Sequence, residues 1–178
     1  MSAIVGNQPF GKSGIIDEFK SASITDSGGR VVKAGQPCFR AGRGSNYSHT
    51  GGDRIVFDTA GGGYFFNIGN HFDTSTGQFT APVAGVYWIF ANVIYQSVAD
   101  GTDMNDSIRI KISGTTMSYP VHRMAYKVNY TGTAGYFVDA LCTLCRVSAN
   151  DTIEVLGQKS EDVHGNSEYT RFEGYLLG

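Results

Sequence analysis

The segment from residue 86 to residue 95, VYWIFANVIY, limits the possible folds of this chain more than any other. In a β-strand, successive side chains point to opposite faces. One face would carry Val86, Trp88, Phe90 and Ile94, and the other Tyr87, Ile89, Val93 and Tyr95. A strand of an antiparallel sandwich usually shows one face to water, so a strand with two apolar faces needs a cover on each. No segment of the sequence is typical of a helix, which leaves another subunit as the expected cover.

Two other segments, 107–113 and 152–156, alternate between apolar and polar residues and predict strands with one face in the core. The residues predicted to be buried are Ile108, Ile110, Ile112, Ile153 and Val155. Those predicted to face water are Arg109, Lys111, Thr152 and Glu154. Asn150 and Asp151 predict a tight turn before the second segment. Short strands separated by turn signals predict an all-β sandwich or barrel, and we assign residues 34–178 to it.

Composition supports this class and argues against several functions. A chain of 178 residues has room for one domain, and 24 Gly, 11 Phe and 10 Tyr with only 17% charged residues fit a turn-rich β fold. The net charge of -2 provides no basic surface for nucleic acid or an anionic membrane. The longest apolar run, Val86 to Ala91, is too short for a membrane helix, and residues 1–8 lack the features of a secretory signal. We therefore expect a soluble, unprocessed chain with no nucleic-acid partner and no membrane insertion.

The three cysteines, Cys38, Cys142 and Cys145, are too few for a disulfide scaffold and cannot all pair within one chain. The spacing of Cys142 and Cys145 imitates a redox or zinc pair. On a strand, however, residues three apart point to opposite faces, and no second pair of ligands accompanies them. We predict free thiols with a structural role.

Residues 1–33 differ from the rest of the chain and predict an N-terminal arm. This stretch has few aromatic residues, scattered Gly and Ser, and one apolar patch formed by Ile15, Ile16 and Phe19. We predict that these three residues anchor the arm on a partner, with flexible stretches on either side. The alternative is a disordered leader without a role.

The stretch from 72 to 90, FDTSTGQFTAPVAGVYWIF, closely resembles the signature of the C1q/TNF-like globular head family. Family-like pieces also occur at 38–41, 150–155 and 172–177, so that the resemblance extends over about residues 36 to 178. It implies a ten-stranded jelly-roll sandwich that assembles as a homotrimer around a three-fold axis. The residues predicted at the trimer interface are Tyr87, Ile89, Val93, Tyr95, Tyr175 and Leu177. Which face of strand 86–95 lies nearer the axis stays open at this point.

The chain departs from the secreted animal members because it carries no signal peptide, collagen stalk or disulfide framework. It looks more like the standalone heads of bacteriophage fibres and virion surface proteins, which fold in a reducing cytoplasm. We therefore predict a non-enzymatic structural protein, a phage fibre knob or a capsid-decorating component, made in the host cytoplasm. It would attach to other virion proteins through its arm and meet a glycan or protein of the host surface. The alternatives are a free, extracellular lectin-like protein of a bacterium or invertebrate, and a signalling ligand of the cytokine type.

Two polar loops are candidate binding sites. The first gathers oxygen ligands of the kind calcium prefers, from Asp100, Asp103, Asn105 and Asp106. Its alternative interpretation is a solvated turn, and calcium is the only cofactor that the sequence suggests. The second loop, 161–168, could contact a ligand through His164 and Asn166, and its alternative interpretation is again a solvated loop.

An aromatic stretch from 117 to 136 could take part in recognition or in packing. It contains Tyr119, His122, Arg123, Tyr126, Asn129, Tyr130 and Tyr136. Residues suited to acid–base chemistry also occur, namely Ser45, Ser48, His49, Asp58, His71 and Asp73. No nucleophile elbow, zinc-binding helix or phosphate loop accompanies them, so we predict that the protein is not an enzyme.

Overall fold

The computed structural model describes residues 36–99, 101–113, 115–116, 122–128 and 134–177, and these contain no helix, hence none that could cross a membrane. Thirteen strands lie in this part of the chain. They are β1 (Cys38–Gly42), β2 (Tyr47–Ser48), β3 (Phe66–Ile68), β4 (Phe72–Asp73), β5 (Gln78–Thr80), β6 (Gly85–Ala99), β7 (Ile108–Ile112), β8 (Thr115–Thr116), β9 (His122–Val128), β10 (Ala134–Val147), β11 (Thr152–Gly157), β12 (Asp162–Val163) and β13 (Arg171–Leu176). The all-β class is confirmed. The predicted count of ten strands is not confirmed, because the structure has thirteen in this part of the chain. Four of the thirteen are only two residues long.

The strands form two antiparallel sheets. Eight belong to the larger sheet, in which β2, β12, β6, β13, β1 and β3 follow one another, β10 pairs with β6, and β9 pairs with β10. The other five form the order β4, β5, β11, β7, β8. The fifteen-residue strand β6 organises the larger sheet because β10, β12 and β13 all pair with it.

Side chains from both sheets meet in one hydrophobic core. Phe39 on β1 stacks on Phe72 and Phe79, with ring centroids 4.9 and 4.7 Å apart, and meets Phe172 edge-on at 4.8 Å. The residues predicted to be buried in 107–113 and 152–156 also belong to this core, except that Ile112 is only half-buried at its margin. The two sheets therefore pack as a sandwich.

Gly77 lies in the turn that joins β4 to β5, within the stretch that carries the family resemblance. Its φ of 73° lies in the left-handed region, and a Cβ there would come within 2.7 Å of the Ile55 carbonyl oxygen. The Gly77 amide donates to the Asp73 carbonyl at 2.7 Å, and Asp73 Oδ1 accepts from the Ser75 amide at 2.8 Å. Only glycine fits this turn without a shift of the neighbouring backbone.

The interface prediction needs correction for Tyr87, Ile89, Val93 and Tyr95. All four are fully buried within the single chain, because they point from β6 toward the five-stranded sheet. The two tyrosine hydroxyls are satisfied there: Tyr87 donates to the Val83 carbonyl at 2.9 Å, and Tyr95 to the Ser107 carbonyl at 2.8 Å. The outward face of β6 is therefore the one that carries Val86, Trp88, Phe90 and Ile94. Tyr175 and Leu177 are exposed, as an interface role requires.

The prediction that Glu154 faces water is also wrong, since its exposed fraction is 2%. Arg54 Nε lies 2.5 Å and Gln78 Nε2 2.6 Å from Glu154 Oε2, and Lys111 Nζ lies 2.9 Å from Oε1. Burial raises the pKa of this carboxyl, but hydrogen bonds from Lys111, Gln78 and Arg54 outweigh burial and hold the pKa below its usual value. The side chain points outward, as alternation predicts, but its partners cover it.

Two local predictions are confirmed. Asn150 has a φ of 69°, and the Ser148 amide donates to Asp151 Oδ2 at 2.7 Å, which closes the predicted turn.

The second confirmed prediction concerns the cysteines of β10: Cys145 is buried in the core, and Cys142 is half-buried on the opposite face. Burial raises the pKa of the Cys145 thiol to about 11, so that it stays protonated at neutral pH.

Candidate functional site

Five apolar residues lie side by side across the outward face of the larger sheet. The strand registers pair them in the order Leu144, Trp88, Tyr175, Cys38 and Ile68. Their sequence neighbours on β6 and β1, such as Ile89 and Phe39, are buried in the core, so these five side chains point away from it. We call this set the outer apolar row.

The outer apolar row is partly open to solvent in the single chain. Leu144 is 58% exposed and Tyr175 41% exposed, and Ile68 is exposed as well. The Trp88 ring lies 5.4 Å from the Tyr175 ring and stacks on Phe90 at 5.9 Å, with an angle of 4° between the planes. A contiguous aromatic and aliphatic surface of this kind marks an interaction site.

A charged cluster lies beside the outer apolar row on the same face. Glu173 Oε1 lies 3.2 Å from Arg40 Nε and 2.7 Å from Arg171 Nε. The register places Glu173 directly between Arg40 on β1 and Phe90 on β6, and the Arg171 guanidinium lies 5.3 Å from the Phe90 ring centroid. Two cations thus share one carboxylate beside the outer apolar row.

The predicted calcium loop is only partly described, because Asp100 lies outside the described residues. Asp106 Oδ2 accepts from Arg109 Nε at 2.7 Å, and Asp103 Oδ1 accepts from the Asn105 amide at 2.9 Å. Asp106 has a φ of 56°, as expected in a tight turn. Within the described residues, no group of three or more His, Cys, Asp or Glu side chains could hold a metal ion. Calcium binding at this loop stays a prediction.

His164 and Asn166 shape the connection between β12 and β13. His164 Nδ1 lies 3.0 Å from Gln96 Oε1, and its ring meets Tyr136 edge-on at 5.3 Å. Asn166 accepts from the Glu168 amide at 3.1 Å through its side chain, and its carbonyl accepts from the Thr170 amide at 2.7 Å. Both side chains thus take part in local hydrogen bonding, and a role in ligand contact stays a prediction.

Most of the predicted aromatic stretch lies outside the described side chains. Tyr119, Asn129 and Tyr130 fall outside the described residues, and of His122, Arg123 and Tyr126 only the backbone in β9 is described. Tyr136 is exposed and contacts His164. The anchor residues predicted in the arm, Ile15, Ile16 and Phe19, lie outside the described residues too.

The side chains considered for catalysis do not form a nucleophile–base pair. Ser48 Oγ donates to Asp162 at 2.7 Å, whereas His49 is buried, with Nε2 3.1 Å from the Gly157 carbonyl and Nδ1 3.3 Å from the Tyr47 hydroxyl. Burial, partly offset by Arg43, raises the pKa of the neighbouring Tyr47 hydroxyl to about 12.

The other four candidates for catalysis have local partners. The Ser45 carbonyl accepts from Arg43, and the Asp58 carboxylate accepts from the Gly44 amide. Asp73 accepts from Ser75, and the His71 ring meets Phe79 edge-on.

The charged cluster was missed by sequence reasoning because its members come from opposite ends of the domain. The segment RFEGYL at 171–176 did contain a local signal: Arg171, Glu173 and Tyr175 alternate with buried residues and therefore share one face. Nothing local indicates that β1 brings Arg40 beside them.

Comparison with known proteins identifies the domain type. A model of the C1q domain family matches residues 38–177. A solved structure of the globular domain of zebrafish complement 1qA protein is similar, with a TM-score of 0.56 and 15% sequence identity, over 80% of this chain and 98% of that chain. At this identity the likeness concerns the fold alone. None of the curated proteins matches the chain.

Proposed function

The chain belongs to the C1q domain family, and from this membership we propose that it acts as a non-enzymatic, homotrimeric recognition head. C1q domains generally form trimers and bind ligands without catalysing a reaction. The proposal assigns the outer apolar row of the larger sheet to the contact between subunits.

The contrast between the two outward faces of the sandwich carries the proposal. On the smaller sheet the outward residues are mostly polar, namely Gln78, Thr80, Lys111, Thr152 and Glu154, and the one apolar residue on this face of β11, Leu156, is only 8% exposed. On the larger sheet they include the outer apolar row. Polar side chains suit water, whereas the exposed side chains of Ile68, Tyr175 and Leu144 lose unfavourable contact with water when a second copy covers them.

Closed rotational symmetry allows the outer apolar row of every copy to be covered by a neighbouring copy. Contacts that repeat around a rotation axis close into a ring, so that no apolar row is left open.

A pair of matched variants tests this assignment. Leu144→Asp adds a charge at an exposed position of the outer apolar row, and Thr80→Asp adds one at an exposed position of the polar face. Light scattering of Leu144→Asp should give the mass of a folded monomer, about 19.2 kDa, while Thr80→Asp keeps the trimer. Equal masses for both variants and the unmodified chain would refute an interface at this row.

The finer part of the proposal attaches the trimer to a virion, as a fibre knob or a capsid-decorating component, through residues 1–33. Its support is that Cys38, Cys142 and Cys145 are free thiols, which suits a head that folds in a reducing cytoplasm. The test is incorporation into particles with and without the arm, and particles that incorporate both forms equally would refute an anchoring arm.

A further inference from the structure

A cavity of about 500 Å³ opens on the outward side of the larger sheet, next to the outer apolar row. Its walls are Arg40, Tyr64, Phe65, Glu168, Tyr169 and Arg171. The geometry points to a binding site for a hexuronic acid, a six-membered sugar ring that carries one carboxylate. We call it the Tyr64–Tyr169 cavity.

Two exposed tyrosines supply the surfaces against which a sugar ring can stack. Tyr64 is 74% exposed and Tyr169 53% exposed. The backbone of Tyr169 is held in place, because its amide donates to the Asn166 carbonyl at 3.0 Å and its carbonyl accepts from the Asn92 side chain. An aromatic ring offers a large contact area at low entropic cost, and its hydroxyl can bind a sugar hydroxyl.

The two arginines of the cavity differ in how many of their guanidinium nitrogens already have a partner. Arg171 Nε lies 2.7 Å from Glu173, and Arg171 Nη1 donates to the Glu168 carbonyl at 2.9 Å. Arg40 meets Glu173 through Nε alone, at 3.2 Å. Among the described residues, no group engages the two terminal nitrogens of Arg40. They form a planar fork that suits one carboxylate.

The charges around the cavity sum to zero, so the open fork of Arg40 is the feature that selects a carboxylate. Arg40 and Arg171 together carry two positive charges, and Glu173 neutralises one of them. Glu168 adds a negative charge at the rim, where its carboxylate can accept from sugar hydroxyls but repels further anionic groups. With a net charge of -2 on the whole chain, a polyanion is disfavoured. A neutral hexose would lack the contact with Arg40.

This inference rests on the proposed recognition role and names its ligand class. Each subunit carries the whole cavity within its own chain, so the site does not require a neighbour. Three copies on one head would raise the avidity for a repetitive glycan surface.

The experiment uses isothermal titration of the full chain with D-glucuronate and D-galacturonate, each compared with its neutral counterpart, glucose or galactose. At least one acid should bind with a millimolar dissociation constant, and its neutral counterpart should bind at least about tenfold more weakly. Arg40→Gln should abolish this difference, and Arg40→Lys, which keeps the charge without the fork, should reduce it. Tyr64→Ala should weaken binding of the acid.

Arg146→Gln is the matched control, since Arg146 is an exposed arginine on β10 of the same sheet and does not line the cavity. It should leave the affinity unchanged. The inference is overturned if neither acid binds, or if the neutral sugar binds as tightly as the acid. A trimer that binds neither acid would remove the sugar site and keep the proposed assembly. A monomer that binds the acid would remove the proposed assembly and keep the sugar site.

Discussion

The Asp139 carboxylate accepts a hydrogen bond of 2.5 Å from the Ser107 hydroxyl in the interior of the sandwich, where both side chains are fully buried. Asp139 belongs to β10 of the larger sheet, and Ser107 immediately precedes β7 of the smaller one. The Ile108 amide also donates to this carboxylate at 3.2 Å, and Tyr95 donates to the Ser107 carbonyl at 2.8 Å. A polar connection therefore joins the two sheets through the core.

Ser107→Ala removes one donor from this buried carboxylate. We expect the free energy of unfolding to fall by about 1–3 kcal/mol, because the remaining groups cannot replace the lost hydrogen bond in a site closed to water. Urea unfolding followed by circular dichroism measures the change. Ser148→Ala, at an exposed position, should stay within about 0.5 kcal/mol of the unmodified protein. An equal effect of the two substitutions would show that the buried hydrogen bond contributes nothing.

Glu154→Gln tests the cluster on the smaller sheet through the pH dependence of stability. The pKa of Glu154 is lower in the folded chain than in the unfolded one, so its stabilising contribution is present above the unfolded pKa and is lost as the pH falls through the folded pKa. The substitution should therefore destabilise the protein at pH 7 and reduce the loss of stability as the pH falls below about 5.

Urea unfolding at a series of pH values checks this, with Glu161→Gln as a control at a carboxyl outside the cluster. If Glu154→Gln loses as much stability on acidification as the unmodified protein, ionised Glu154 does not stabilise the fold.

Tyr87→Asp and Tyr175→Asp distinguish the two faces of β6 and its neighbour. Tyr87 lies in the core, so a charge there should unfold the chain. Tyr175 lies in the outer apolar row, so a charge there should leave a folded monomer. Circular dichroism and light scattering separate these outcomes, and a folded, monomeric Tyr87→Asp variant would restore Tyr87 to the interface.

Deletion of residues 1–33 should leave a folded, soluble trimer that no longer incorporates into particles. Replacement of Ile15, Ile16 and Phe19 by Ala in the full chain should have the same effect on incorporation, since burying each at an interface contributes roughly 1.5–3 kcal/mol. Thermal unfolding and particle binding are the two measurements. Loss of the fold on deletion would instead make the arm part of the sandwich.

The sequence predicted that β6 needs a cover on both faces, but it could not assign the faces. Alternation gives two apolar sets that look equivalent, and the choice depends on partners distant in sequence: Val83 and Ser107 satisfy the hydroxyls of Tyr87 and Tyr95 inside the sandwich. For the same reason the burial of Glu154 escaped prediction, since Arg54 lies one hundred positions away. The opposite orientations of Cys142 and Cys145 were predictable because they depend only on strand geometry.

The molecular mass of the unmodified protein in solution tests the central claim most directly. The claim is that the outer apolar row is covered by further copies of the same chain. Sedimentation or light scattering at micromolar concentration should give about three times 19.2 kDa, without a change over a tenfold dilution. A stable, folded species of 19.2 kDa under these conditions would contradict the account.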